Sequence, residues 1–246
     1  AIMVLDNTCA NKPTEMWVSK RDLTNDEELP GATLAIKDMD GNIVTTWVST
    51  DEPHRVTGLH FGESYTLTEI RAAGGYALAD NITFRLIQKT DEGGNPLEEC
   101  QVYYLTTKNI LFWKWDDWRL LDDATVIMRD DITKVQISKK DLTTKEELHG
   151  AELTLTDEKG NEIDRWISTD APHYMERLPA GKYTLTEVTA PDGYAIAERM
   201  EFEVLPNGEV QTFEMFDDTI KVKISKVDIT TNEELPGAEL VIKDKD

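Results

Sequence analysis

The sequence predicts an all-β chain built as tandem β-sandwich modules, and three observations carry that prediction. Short alternating runs (ATLAI from Ala32, NIVTTWVS from Asn42, SYTLTE from Ser64, ITFRL from Ile82) are separated by DMDGN, LHFGE and AAGGY. Alternation places every second side chain on one face, and Gly, Asp and Asn between such runs are turn residues. Second, SKRDLTNDEELPGATLAIKDMDGNIVTTWVSTDEPH from Ser19 returns from Ser138 as SKKDLTTKEELHGAELTLTDEKGNEIDRWISTDAPH, and SKVDITTNEELPGAELVIKDKD starts again at Ser225. Third, no segment outside one insertion sustains a helical period. Seven or so strands in under ~100 residues fit an immunoglobulin-like sandwich or a small barrel.

The repeat sets the organisation in chain order. Aligned backward from Lys20, NKPTEMWVSK lies over DDITKVQISK, so Asn11 takes the place of Asp130 and residues 1–12 read as the last strand of a preceding module. Residues 13–131 form a complete module. Lys20 and Lys139 are 119 residues apart whereas Lys139 and Lys226 are 87 apart, which gives the first module about 32 extra residues, placed at about 89–122. Residues 132–218 form the second complete module, and 219–246 begin a third. Modules joined with almost no linker suggest a rod, and the chain reads as a window on a longer array.

Composition narrows the function classes. With 48 Asp and Glu against 26 Lys and Arg, the net charge of −22 repels phosphate backbones and anionic membrane surfaces, so nucleic acid is not an expected partner. No apolar run approaches the ~20 residues that span a bilayer, and no membrane insertion of this segment is expected. Cys9 and Cys100 are far apart without metal-ligand spacing; they read as two separate thiols, with a disulfide as the less favoured pairing.

The same alternation that defines the strands aims charges inward. In VQISKKD, Val135, Ile137 and Lys139 share a face; in YTLTE, Tyr183, Leu185 and Glu187 do, as do Tyr65, Leu67 and Glu69. In the closing strand Phe213, Met215 and Asp217 line up, matching Val126, Met128 and Asp130. Each complete module thus sends one Lys, one Glu and one Asp toward its core. Burying charges is costly even when they are paired, and desolvation favours a neutral amine and a protonated carboxyl. Such an amine can attack such a carboxyl, with the Glu relaying protons, to leave a neutral amide and water. The plainer reading is a strand-end lysine that snorkels to solvent.

SKKD, TLTEVTAPDGY and the closing strand with its carboxyl residue nine before the next Lys resemble the B-type domains of collagen adhesin, the Cna-B-like domains of Gram-positive pilins and surface adhesins. The resemblance covers nearly the whole chain apart from the insertion. It implies a transthyretin-like or inverse immunoglobulin-like sandwich, a spontaneous isopeptide bond between first and last strands, and an assisting Glu. By position, Lys20 would join Asp130 with Glu69 assisting, and Lys139 would join Asp217 with Glu187 assisting. Asn11 and Lys226 would belong to bonds with residues outside this chain. The function implied is a structural stalk segment on a Gram-positive surface, anchored to the cell wall, with neighbouring modules of the same chain as partners, no cofactor and no enzymatic turnover.

Other features carry weaker readings. The insertion holds Tyr103, Tyr104, Phe112, Trp113, Trp115 and Trp118. It reads first as an added β-hairpin whose rings cover the sandwich, and second as a ligand surface for host glycan or protein built on Trp113, Trp115 and Trp118. DMDGN resembles part of a calcium loop but lacks its later ligands, so a hairpin turn is expected and no metal. His54 and His173 lack Cys or Ser partners and read as loop structure; Trp47 and Trp166 read as core.

Overall fold

The computed structural model describes residues 14–110 and 113–243, and every regular element among them is a strand. Asn11, Cys9 and Phe112 lie outside the described residues, as do the side chains of Trp113 and Trp115. The first half contains β1 (Glu15–Asp22), β2 (Thr33–Lys37), β3 (Ile43–Val48), β4 (His54–Thr57), β5 (Ser64–Arg71), β6 (Ile82–Thr90), β7 (Pro96–Ile110), β8 (Trp113–Leu121) and β9 (Thr125–Asp130). The second contains β10 (Lys134–Asp141), β11 (Glu152–Asp157), β12 (Glu162–Ile167), β13 (His173–Glu176), β14 (Gly181–Thr189), β15 (Met200–Val204) and β16 (Val210–Asp217).

Each half has two sheets. In the first, a three-stranded sheet ordered β4-β1-β9 accompanies a six-stranded sheet ordered β3-β2-β5-β6-β7-β8. The second repeats this as β13-β10-β16 and β12-β11-β14-β15, without the extra hairpin. The insertion is therefore two paired strands, β7 and β8, added to the edge of the larger sheet. Most strand pairs are antiparallel, but β1 runs parallel to β9 and β10 parallel to β16. A parallel first and last strand is the feature on which the site depends.

The cores follow the alternation. Met16, Val18, Leu34, Ile36, Leu67, Phe84, Leu86, Val102, Val126 and Met128 fill the first module, and Val135, Ile137, Leu153, Leu155, Leu185, Val204 and Met215 the second. Full burial of one such side chain is worth ~1.5–3 kcal/mol.

DMDGN makes the β2–β3 hairpin turn. Asp38 Oδ1 accepts the N–H groups of Asp40 and Asn42, and Asn42 Nδ2 donates to Asp38 Oδ2. Asp157 and Asn161 repeat the turn, and so do Asp91 and Asn95 at the base of the insertion. Gly41, Gly94 and Gly160 take the positive φ that such turns require. Trp47 and Trp166, expected in the core, are only half-buried: each lies on an edge strand and packs against the core from there. His54 and His173 stack on them, with ring centroids 4.4 and 4.3 Å apart.

Candidate functional site

β1 and β9 are in parallel register, with Lys20 opposite Met128 and Asp22 opposite Asp130. Asp130 therefore shares a sheet face with Lys20 and stands two residues along, within reach of a four-carbon stem. Lys20 Nζ donates to Asp130 Oδ1. From the facing sheet, β5 brings Glu69 Oε1 to 3.1 Å from the same nitrogen. The lysine side chain is 2% exposed and both carboxylates are fully enclosed.

The second module reproduces this arrangement. Lys139 lies opposite Met215 on β16, Lys139 Nζ donates to Asp217 Oδ1, and Glu187 Oε1 of β14 stands 3.2 Å away. In both modules a backbone N–H that the sequence did not point to fixes the glutamate. Ala79 donates to Glu69 Oε2 at 2.7 Å, and Ala197 to Glu187 Oε2 at 2.6 Å. With one oxygen held, the other is directed at the lysine. Asp130 Oδ2 and Asp217 Oδ2 are buried without a hydrogen-bond partner among the described residues.

Electrostatics follow from enclosure. Burial pushes Asp130 up to about 7, with Lys20 opposing and Glu69 adding to the rise. In the second module burial pushes Glu187 up, opposed by the Ala197 N–H and by Lys139 and reinforced by Asp217. In each module burial thus favours the protonated form of one carboxyl beside the amine, Asp130 in the first and Glu187 in the second.

The acids next in sequence point elsewhere. Asp131 pairs with Lys134 at 2.7 Å, half-buried, and Asp218 with the exposed Lys221 at 2.6 Å. Lys140, the outward neighbour of Lys139, pairs with Glu214. Lys226 is exposed and lies outside any strand, although Leu235 N–H bonds its carbonyl as Leu29 and Leu148 bond those of Lys20 and Lys139. In the insertion, Trp118 is half-buried and the Arg85 guanidinium lies 4.2 Å from its ring centroid. Cys100 donates its thiol to Glu15 O at 2.9 Å.

The sequence matches the family described as SpaA, prealbumin-like fold domain, twice, over residues 14–93 and 133–219. It has no match among curated proteins. Among solved structures it is similar to the Bacillus anthracis TIE protein, at 22% identity and a TM-score of 0.44 over 85% of this chain and 34% of that one. This chain thus spans about a third of that protein's length. It is also similar to shaft pilin SpaA of Lactobacillus rhamnosus GG, at 13% identity and a TM-score of 0.35, over 87% of this chain and 100% of that one. A C-terminal fragment of pilus adhesin SpaC from the same organism matches at 16% identity and a TM-score of 0.41, with coverages of 87% and 100%.

Proposed function

Because the chain belongs to the family of SpaA prealbumin-like fold domains, we propose that it is a structural stalk segment of a Gram-positive surface pilus or adhesin, its modules locked by internal Lys–Asp amide bonds. In this reading residues 13–131 and 132–218 are the complete modules and neighbouring modules of the same chain are the partners. The observation that carries the reading is the same enclosed Lys, Asp and Glu at corresponding places in both modules.

The chemistry is a condensation. Lys20 Nζ, as the free amine, attacks Cγ of the protonated Asp130 carboxyl. Glu69 takes the proton that the nitrogen sheds and passes it to a departing Asp130 oxygen. The C–N bond forms, the C–O bond breaks, and one water leaves. Holding the groups in contact contributes ~7–11 kcal/mol of effective concentration. Lys139, Asp217 and Glu187 take the same roles. Each module reacts once, so this is maturation and not turnover.

An amide between parallel first and last strands carries a pull directly across the module. Lys20 and Asp130 are 110 residues apart and Lys139 and Asp217 are 78 apart; the chain between each pair bears no load. Single-molecule pulling tests this. The wild type should show no unfolding extension from either module, whereas Glu69→Ala should release roughly 350–400 Å from the first, at ~3.3–3.6 Å per residue. Extension of that size in the wild type would overturn the stalk reading.

One observation favours a second function. A groove of about 390 Å³ opens where the insertion meets β9, lined by Ile82, Tyr104, Leu105, Leu121, Val126 and Arg129. In this reading the first module also binds host glycan or protein at the insertion.

A further inference from the structure

β9 ends at Asp130 and β10 begins at Lys134, so only three residues separate the last strand of one module from the first strand of the next. Those residues are bonded on both sides. Ala77 N–H donates to Asp131 O at 2.8 Å and Thr133 N–H to Gly75 O at 3.0 Å in the first module. Toward the second, Thr133 O accepts the Arg177 N–H at 2.9 Å and Thr133 Oγ1 donates to Leu178 O at 2.6 Å. The packing leaves no slack: a Cβ on Gly75 would lie 2.6 Å from Arg177 O.

Arg177 sits in the turn between β13 and β14 with φ of +60°, a left-handed conformation that disfavours side chains other than glycine. The first module has Gly58 at the matching place, four residues after its His, with φ of +80°. An arginine held there at a conformational cost calls for a reason. Its guanidinium crosses the joint and lies 4.9 Å from the Tyr76 ring centroid. It donates to Tyr76 Oη, to Asp22 Oδ2 at 3.0 Å and to Thr24 Oγ1 at 3.4 Å. Asp22 is almost wholly enclosed, and its Oδ2 also accepts the Tyr76 hydroxyl at 2.8 Å.

We propose that Asp22, Thr24 and Tyr76 form a cation socket at the downstream end of a module, and that Arg177 is the plug through which the following module is held in one orientation. The socket recognises a guanidinium presented by a left-handed turn residue of the next module. A module with glycine at that place, as at Gly58, cannot fill it, so the socket selects which kind of module follows. The second module carries the same device. Asp141, buried, accepts the Tyr194 hydroxyl at 2.7 Å and the N–H groups of Thr143 and Thr144. The chain leaving it repeats the joint, with Ala195 N–H to Asp218 O at 3.0 Å and Ile220 N–H to Gly193 O at 2.8 Å. The lock does not depend on the amide bonds.

Residual dipolar couplings in one alignment medium test the lock. In the wild type both modules should fit a single alignment tensor. Arg177→Gly, which restores the residue found at position 58 and relieves the left-handed turn, should give the modules tensors that differ about twofold in magnitude. Arg165→Ala, which removes an exposed ion pair with Glu152 and Glu162, should keep the single tensor. Chemical shifts remote from the joint report whether each module remains folded; if Arg177→Gly perturbs them, Tyr76→Phe with Asp22→Asn removes the socket from the other side and should split the tensor. A single shared tensor in either folded variant would overturn the proposal.

Discussion

At Lys20, one substitution separates the proposed cross-link from a pair of buried carboxyls. Lys20→Met removes the amine, so Asp130 stays a free carboxyl, enclosed, beside Glu69. Burial is the main cause that raises it, and Lys20, the group that opposes the rise, is gone. Losing the cross-link should cost about 4–5 kcal/mol on a chain-entropy estimate, and the buried carboxyl adds to that cost. The cost should depend on pH with a definite sign. Below about 4 the carboxyl is protonated in folded and unfolded chains alike and contributes nothing. From about 4 to beyond about 7 the unfolded chain ionises while the folded chain keeps its proton, so stability falls as pH rises. In a wild type carrying the proposed amide there is nothing to titrate and this dependence is absent. Urea midpoints of variant and wild type across this range provide the check, and a variant midpoint that rises relative to wild type would contradict the assignment.

At the scale of the element, parallel register decides which acid can react. Asp130 faces Lys20 from β9 and Asp131 turns outward to Lys134, so Asp130→Ala should leave the first module without its amide despite an acid next door. A proteolytic digest read by mass should then show no branched peptide at Lys20. The alternation in VQISKKD, YTLTE and the closing strand was enough to place Lys139, Glu187 and Asp217 on inward faces, because period two is a property of local sequence. The parallel pairing of β1 with β9, the N–H groups of Ala79 and Ala197 on the glutamates, and the Trp–His stacks depend on contacts between distant segments. The insertion lies between these cases. Its hairpin character was legible from the sequence, whereas its placement at the edge of the larger sheet was not. Deleting residues 89–122 should abolish any adhesion of the parent protein if the groove beside β9 is a binding face, and leave it unchanged if the segment is a spacer; cell or matrix binding by the deletion variant decides between them.

For the whole molecule, the repeat was the most informative feature of the sequence, since two copies of one pattern must fold alike. The joint was less legible. Arg177, Tyr76 and Asp22 lie far apart in the chain, and only the contrast between Gly58 and Arg177 at one repeat position marks them. A tandem array with a clamp at each joint and an amide in each module would bear load with little extension. On a chain-entropy estimate like that for disulfides, closing loops of 110 and 78 residues is worth about 4–5 kcal/mol each. Both amides should form without assistance once the chain folds, and intact mass spectrometry of the folded, purified protein reads this out. The mass should lie about 36 Da below the sequence mass, two waters lost, with Glu69→Gln and Glu187→Gln each restoring about 18 Da. A folded wild type at its full sequence mass would contradict it.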